Sequence, residues 1–184
     1  MIKSLIIGLV FVLSFSILSM GCQDEDLTIE ERAEKADVDN EVVDKLEERV
    51  VEIYNLENEV RDPDVIPDSS DEEVKQKIYE IFRSGWDNRS AVWLTERLWN
   101  EDEGVKRDKD SHFGEVENFM VLEKDSNRAV AAFEEIFSNN NNDNGNSNKR
   151  KSETVKVTLI NEDDDNWIII KHEYIDEDED EKEN

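Results

Sequence analysis

Between residues 39 and 60 the apolar positions recur at intervals of three and four: Val42, Val43, Leu46, Val50, Ile53 and Tyr54. That period lines them along one side of an α-helix and leaves the acidic residues to the other sides. The spacing predicts a helix over 39–60, either packed on a domain or forming a stalk. Upstream, Thr28-Ile29-Glu30-Glu31 has capping-box spacing, a hydroxyl for an orphan N–H and a carboxylate reaching back. Residues 22–38 therefore read as an acidic tether with a first helical turn. Asp62-Pro63 and Ile66-Pro67 then break the period, because proline fixes φ and lacks a donor, so 61–69 reads as a linker. Ser70-Asp71-Glu72-Glu73 repeats the capping-box spacing, with Val74, Ile78, Ile81 and Phe82 as the stripe behind it and Gly85 as a C-cap. A further helix is expected over 88–100, with Ala91, Leu94 and Leu98 on one face and Trp86, Trp93 and Trp99 close by. Glu101 to Gly104 end it, and Val105 to Gly114 reads as a loop.

Downstream the period changes to two. Phe119 to Leu122 is a strand-like apolar run, and Lys124-Asp125-Ser126-Asn127 is a turn. Ala129, Ala131, Phe133, Glu135 and Phe137 alternate as in a strand, although Val130, Phe133 and Phe137 also fit a helix; the flanking turns favour strand. Asn139 to Asn148 is an Asn-rich insert that reads as a mobile loop. Val155, Val157 and Leu159 alternate, Glu162 to Asn166 form a turn, and Trp167 to Tyr174 make a last strand. Asp176 to Asn184 is an acidic tail expected to be disordered. The order is α+β: N-terminal helices, then an antiparallel four-strand meander, with the domain proper placed at 70–175.

Charge narrows the functional classes. The chain carries 49 acidic and 22 basic residues, a net charge of −27. Such a field repels nucleic acid, whose binding rests on Lys and Arg at phosphates, and it opposes direct docking on anionic headgroups. A basic protein or a divalent cation would be attracted instead. The basic trio Lys149-Arg150-Lys151 is the exception, read as a solvated strand entry.

The first residues carry a different signal. Lys3 precedes an apolar run from Leu5 to Leu18, short of the roughly 20 residues of a permanent span. Ser19-Met20-Gly21-Cys22 follows, and Cys22 is the single cysteine. Residues 1–22 resemble a bacterial lipoprotein signal, in which the peptide is cut before a cysteine that is joined to lipid. Gly21 and Cys22 match the end of that motif; Ser19 and Met20 depart from it, and Leu18 lies one place early. The resemblance implies removal of 1–21, lipidation of Cys22 and a membrane partner held through fatty chains. It also excludes thiol catalysis. Gln23 differs from the aspartate of inner-membrane retention signals. The acidic Asp24-Glu25-Asp26 resembles the surface-export signals of some bacterial lipoproteins, which implies the cell envelope, an outer-membrane location and surface display.

Residues 70–175 also resemble the NTF2-like superfamily, on three local features. Ile81-Phe82 followed by Trp86-Asp87-Asn88 is similar to its first helix and turn, Arg128 to Phe133 to its first long strand, and Asp165 to Ile169 to the turn and Trp of its last strand. The resemblance implies a cone, a curved sheet wrapped around helices. Its members include enzymes, ligand carriers and non-catalytic domains, so fold alone does not fix function.

Two histidines bound the acid–base chemistry. His112 falls in the loop before Phe113-Gly114. His172 falls on the last strand, on a face shared with Ile168, Ile170 and Tyr174 that is expected to point inward. Trp86, Trp93, His172 and Tyr174 are the candidate pocket residues. Asn140, Asn142, Asn144 and Gly145 mimic a calcium loop, but Lys151 at its twelfth position opposes a cation. Asp163-Asp164-Asp165 reads as a solvated turn. No phosphate loop, nucleophile elbow or paired-histidine metal motif is present, and no cofactor, metal or catalytic residue is assigned. The expectation is a non-catalytic module for a partner or a small apolar ligand, ahead of a surface-assembly protein without a small-molecule site and an enzyme using His172.

Overall fold

The 39–60 stripe forms a helix and becomes the spine of the domain. In the computed structural model, which describes residues 27–107, 112–137, 151–163 and 166–175, α2 spans Asn40–Arg61 and buries Leu46, Val50, Ile53, Tyr54, Glu57 and Val60. It packs on the domain and is not a free stalk, so the folded body begins well before residue 70. The Asp39 carboxylate caps α2 by accepting from the Glu41 N–H. Ahead of it, α1 (Ile29–Ala36) is a full helix where a single turn was expected, and the Thr28–Glu31 capping box forms. Cys22, the rest of 1–26, the Asn-rich insert and the acidic tail lie outside the described residues.

Two more helices follow, α3 (Glu72–Arg83) and α4 (Asn88–Leu98). The capping box expected at Ser70 does not form. Asp71 is the N-cap of α3 without a side-chain cap bond, and its carboxylate is held by the Ser69 hydroxyl at 2.7 Å. Gly85 is not the C-cap either, since that position is Ser84. Its lack of a side chain serves close approach: a Cβ there would lie 2.7 Å from an Ile53 methylene carbon of α2. Helix α4 ends two residues earlier than expected, because Trp99–Asn100 (β1) pair with Gly104–Val105 (β2) in a small hairpin.

The meander is as expected: β3 (Glu115–Lys124), β4 (Arg128–Phe137), β5 (Lys151–Asn161) and β6 (Trp167–Ile175), antiparallel in the order β3-β4-β5-β6. Continuous pairing of Arg128–Phe137 with β5 resolves 128–137 as strand. One face carries Ala129, Ala131, Phe133, Val155, Val157 and Leu159 into the main core with α2, α3 and α4. The other face is covered at Leu122, Val130 and Ala132 by Ile29 and Ala33 of α1.

Two irregularities shape the sheet. Asn118 takes a left-handed φ of 55° where β3 slips register against β4. In β6, Ile169 pairs with Leu159 but Lys171 pairs with Thr158, so Ile170 is an extra residue opposite no partner. Among the described residues no helix is long and apolar enough to cross a membrane.

Candidate functional site

The turn between α3 and α4 is stitched to the last strand. The Asp87 N–H donates to the Ile169 carbonyl at 3.0 Å, and the Ile169 N–H donates to the Gly85 carbonyl at 2.8 Å. These bonds fix Trp86 against the sheet, where it is 3% exposed. Further along β6, the extra residue at Ile170 inverts the alternation. Trp167 and Ile169 face the helices before it, and His172 and Tyr174 face them after it, opposite Val157 and Val155. His172 does point inward, but not on the face expected from its spacing. Ile168 lies on the opposite face, and Ile170 is 38% exposed. A bulge is a backbone event that the period-two pattern does not display.

The loop before β3 supplies the rest. The His112 N–H donates to Glu57 Oε2 at 2.8 Å, and the Gly114 N–H donates to Glu135 Oε1 at 2.6 Å. Two buried glutamates thus pin the backbone on either side of Phe113. Gly114 is obligatory there, because a Cβ would fall 2.6 Å from the Ile136 carbonyl oxygen. The Phe113 ring lies 5.0 Å from Trp86, stacked, and 4.5 Å from Tyr54. Glu57 also pairs with Arg61 at 2.7 Å, which compensates its burial.

Trp86, Phe113, His112 and His172 meet Ser90, Trp93 and Leu94 of α4 around a half-open cleft of about 230 Å³. Of the expected pocket residues, Trp86, Trp93 and His172 line it together. Tyr174 does not: its ring touches His172 at 5.1 Å, but it is 44% exposed and its hydroxyl stands beside Glu135. Trp99 is core, its indole N–H donating to the Ser69 carbonyl. The sequence pattern does not mark Phe113, Ser90 or Leu94 for the site, and it places His112 only in a loop. The His-Phe-Gly triplet itself was the available signal, since a bulky aromatic before glycine in a polar loop has a buried destination.

Among the described residues, the side chains that line the cleft are uncharged near neutral pH. A guanidinium only donates, so the 2.9 Å contact between Arg97 and His112 makes His112 Nδ1 the acceptor and leaves the ring proton on Nε2. Burial, with the Arg97 charge beside it, holds His112 below the usual imidazole range. Burial, then His112, pushes His172 down to about 4. Burial and the Glu135 charge hold the Tyr54 hydroxyl well above the phenol range, so it keeps its proton, and it shares a hydrogen bond of 2.8 Å with His172 Nε2. Burial also raises the Glu135 carboxyl, against the lowering effect of the hydrogen bond that the Gly114 N–H donates to it.

Two buried polar atoms near the cleft, Trp86 Nε1 and Glu135 Oε2, meet no hydrogen-bond partner among the described residues. Among those residues no group of three or more His, Cys, Asp or Glu is arranged to hold a metal ion. No family model, curated protein or solved structure matches the chain.

Proposed function

We propose that this chain is a lipid-anchored, non-catalytic binding module of a bacterial cell envelope, moored through Cys22 and taking a small apolar ligand in the aromatic cleft. The cleft carries this reading: three aromatic walls from Trp86, Trp93 and Phe113, with Leu94 between and two imidazoles held neutral, form a concave apolar site with few polar groups. The order of elements, with helices on one face of a four-strand meander, supports the NTF2-like resemblance. Outer-membrane location and surface display follow from the acidic residues after Cys22.

Trp93 is the residue to test, because it is 50% exposed and adds little to the core. Trp93→Ala is expected to abolish ligand-induced quenching of tryptophan fluorescence while moving the melting temperature by only a few degrees. A variant that binds as the parent does would defeat the cleft reading. Anchoring is tested separately: Cys22→Ala should leave the membrane fraction, and its retention there would defeat the lipid assignment.

A second reading has its own support. Val92, 41% exposed, adjoins Trp93 on α4, an apolar pair suited to docking a partner protein. Catalysis by His172 is disfavoured, since a general base works best with its pKa near the operating pH, and His172 is depressed and engaged by Tyr54.

A further inference from the structure

Helix α4 is the electrostatic exception in this chain. With Arg89 and Arg97 against Glu96, it is the one of the four described helices whose basic residues outnumber its acidic ones. Arg89, Trp93 and Arg97 follow at intervals of four, so they share one line along the helix surface. Arg89 is exposed, Trp93 is 50% exposed, and the Arg97 guanidinium lies 5.9 Å from the Trp93 ring centroid. An exposed tryptophan between two guanidinium groups suits a segment that brings carboxylates.

The chain itself delivers such a segment. Helix α4 and the end of β6 run side by side in the same direction. Asp87, the N-cap of α4, bonds to Ile169; Trp93 and His172 line the cleft together; and the Arg97 charge acts on the Tyr174 hydroxyl. Strand β6 ends one residue later, at Ile175, beside the Arg97 end of the line. Asp176 to Glu181 is then an unbroken run of carboxylates. Arg89 stands about 12 Å from Arg97 along the helix axis, and four extended residues span about 13 Å, so the run is long enough to meet both. Against α2 it would meet like charge, since acidic residues outnumber basic ones there.

We infer that Asp176 to Glu181 seat along α4 across Trp93, with carboxylates paired to Arg89 and Arg97, and so cover the mouth of the cleft from within the chain. This goes beyond the ligand reading and does not need it, because the segment would shield Trp93 whatever the cleft binds. Linkage makes weak pairs effective, since a short tether holds the carboxylates at roughly millimolar effective concentration. The contact is sensitive to salt, which shortens the reach of such charges from about 30 Å at roughly 0.01 M to about 3 Å at roughly 1 M.

The test reads acrylamide quenching of tryptophan fluorescence, which reports chiefly on Trp93, because Trp86, Trp99 and Trp167 are buried. In low salt, removing residues 176–184 should raise the quenching constant about twofold, and at roughly 1 M salt the two chains should agree. Replacing the carboxylates of 176–181 by Asn and Gln keeps the length and should act as removal does. Arg89→Glu, two turns from the contact between Arg97 and His112, should raise quenching in the full chain and leave the shortened chain unchanged. Equal quenching of full and shortened chains in low salt overturns the inference, as does a neutralised segment that protects as well as the native one. Protection that grows with protein concentration assigns Trp93 to a second copy and overturns it too. No ligand enters these measurements, so the binding-module reading stands or falls apart from them.

Discussion

His172 shows how one buried side chain couples stability to pH. Folded, it stays neutral down to about 4, whereas its ordinary value is 6.5. Between those values the unfolded chain binds the proton and the folded chain does not, so stability is full above 6.5 and falls as the pH drops toward 4. The loss is on the order of 3 kcal/mol, from the size of the displacement. His112 is displaced in the same direction and adds to the trend. His172→Gln should therefore show a smaller drop in unfolding free energy between pH 7 and pH 4 than the parent, in urea titrations at each pH. Identical pH slopes would mean that the imidazole is solvated. Inward placement of His172 was legible from its strand, but the route was not. The expected face included Ile168 and Ile170, and the extra residue at Ile170 separates them from it. The His112–Gly114 strap was not legible at all, because its partners Glu57 and Glu135 lie 55 and 21 residues away in the chain.

At the scale of elements, Arg49 joins three segments. From α2 its Nε donates to the Trp167 carbonyl at 2.9 Å and an Nη to the Ser84 carbonyl at 2.6 Å, tying the α3–α4 turn to the start of β6. Arg49→Ala should lower stability by about 2 kcal/mol, the usual worth of hydrogen bonds from a charged donor, read as a lower urea midpoint with unchanged slope. Arg49→Lys should not restore it, since an ammonium lacks the planar fork that serves two carbonyls at once. A loss below a few tenths of a kcal/mol would show that the stitching at Gly85, Asp87 and Ile169 is sufficient alone. Helices α2, α3 and α4 were legible because each has a stripe, and β4 because alternation and turns agree. What the pattern missed were ends and joints: the β1–β2 hairpin past Leu98, Ser84 in place of Gly85 as the cap, and the helix hidden in the supposed tether at Ile29–Ala36. Those depend on tertiary partners more than on local period.

On the whole molecule, the two sheet faces are unequal. The helix-facing side holds the main core, while the other side is covered at a few positions by the eight-residue α1, which buries none of its own residues fully. The Arg32–Glu123 pair at 3.2 Å is partly exposed and adds little. Helix α1 should therefore open independently of the rest. Ala33→Asp is expected to abolish amide protection across 29–36 in hydrogen exchange while strand amides of β4 and β5 keep theirs. Concerted loss of both would make α1 part of the cooperative core.

The position of α1 also bears on geometry at a bilayer. Five residues lie between Cys22 and Thr28, and the six steps of extended chain reach only about 20 Å. A body moored through Cys22 would hang from the outer side of its sheet on a short leash. That side would then ride nearest the lipid, and melting α1 would let the leash pay out and the body swing clear.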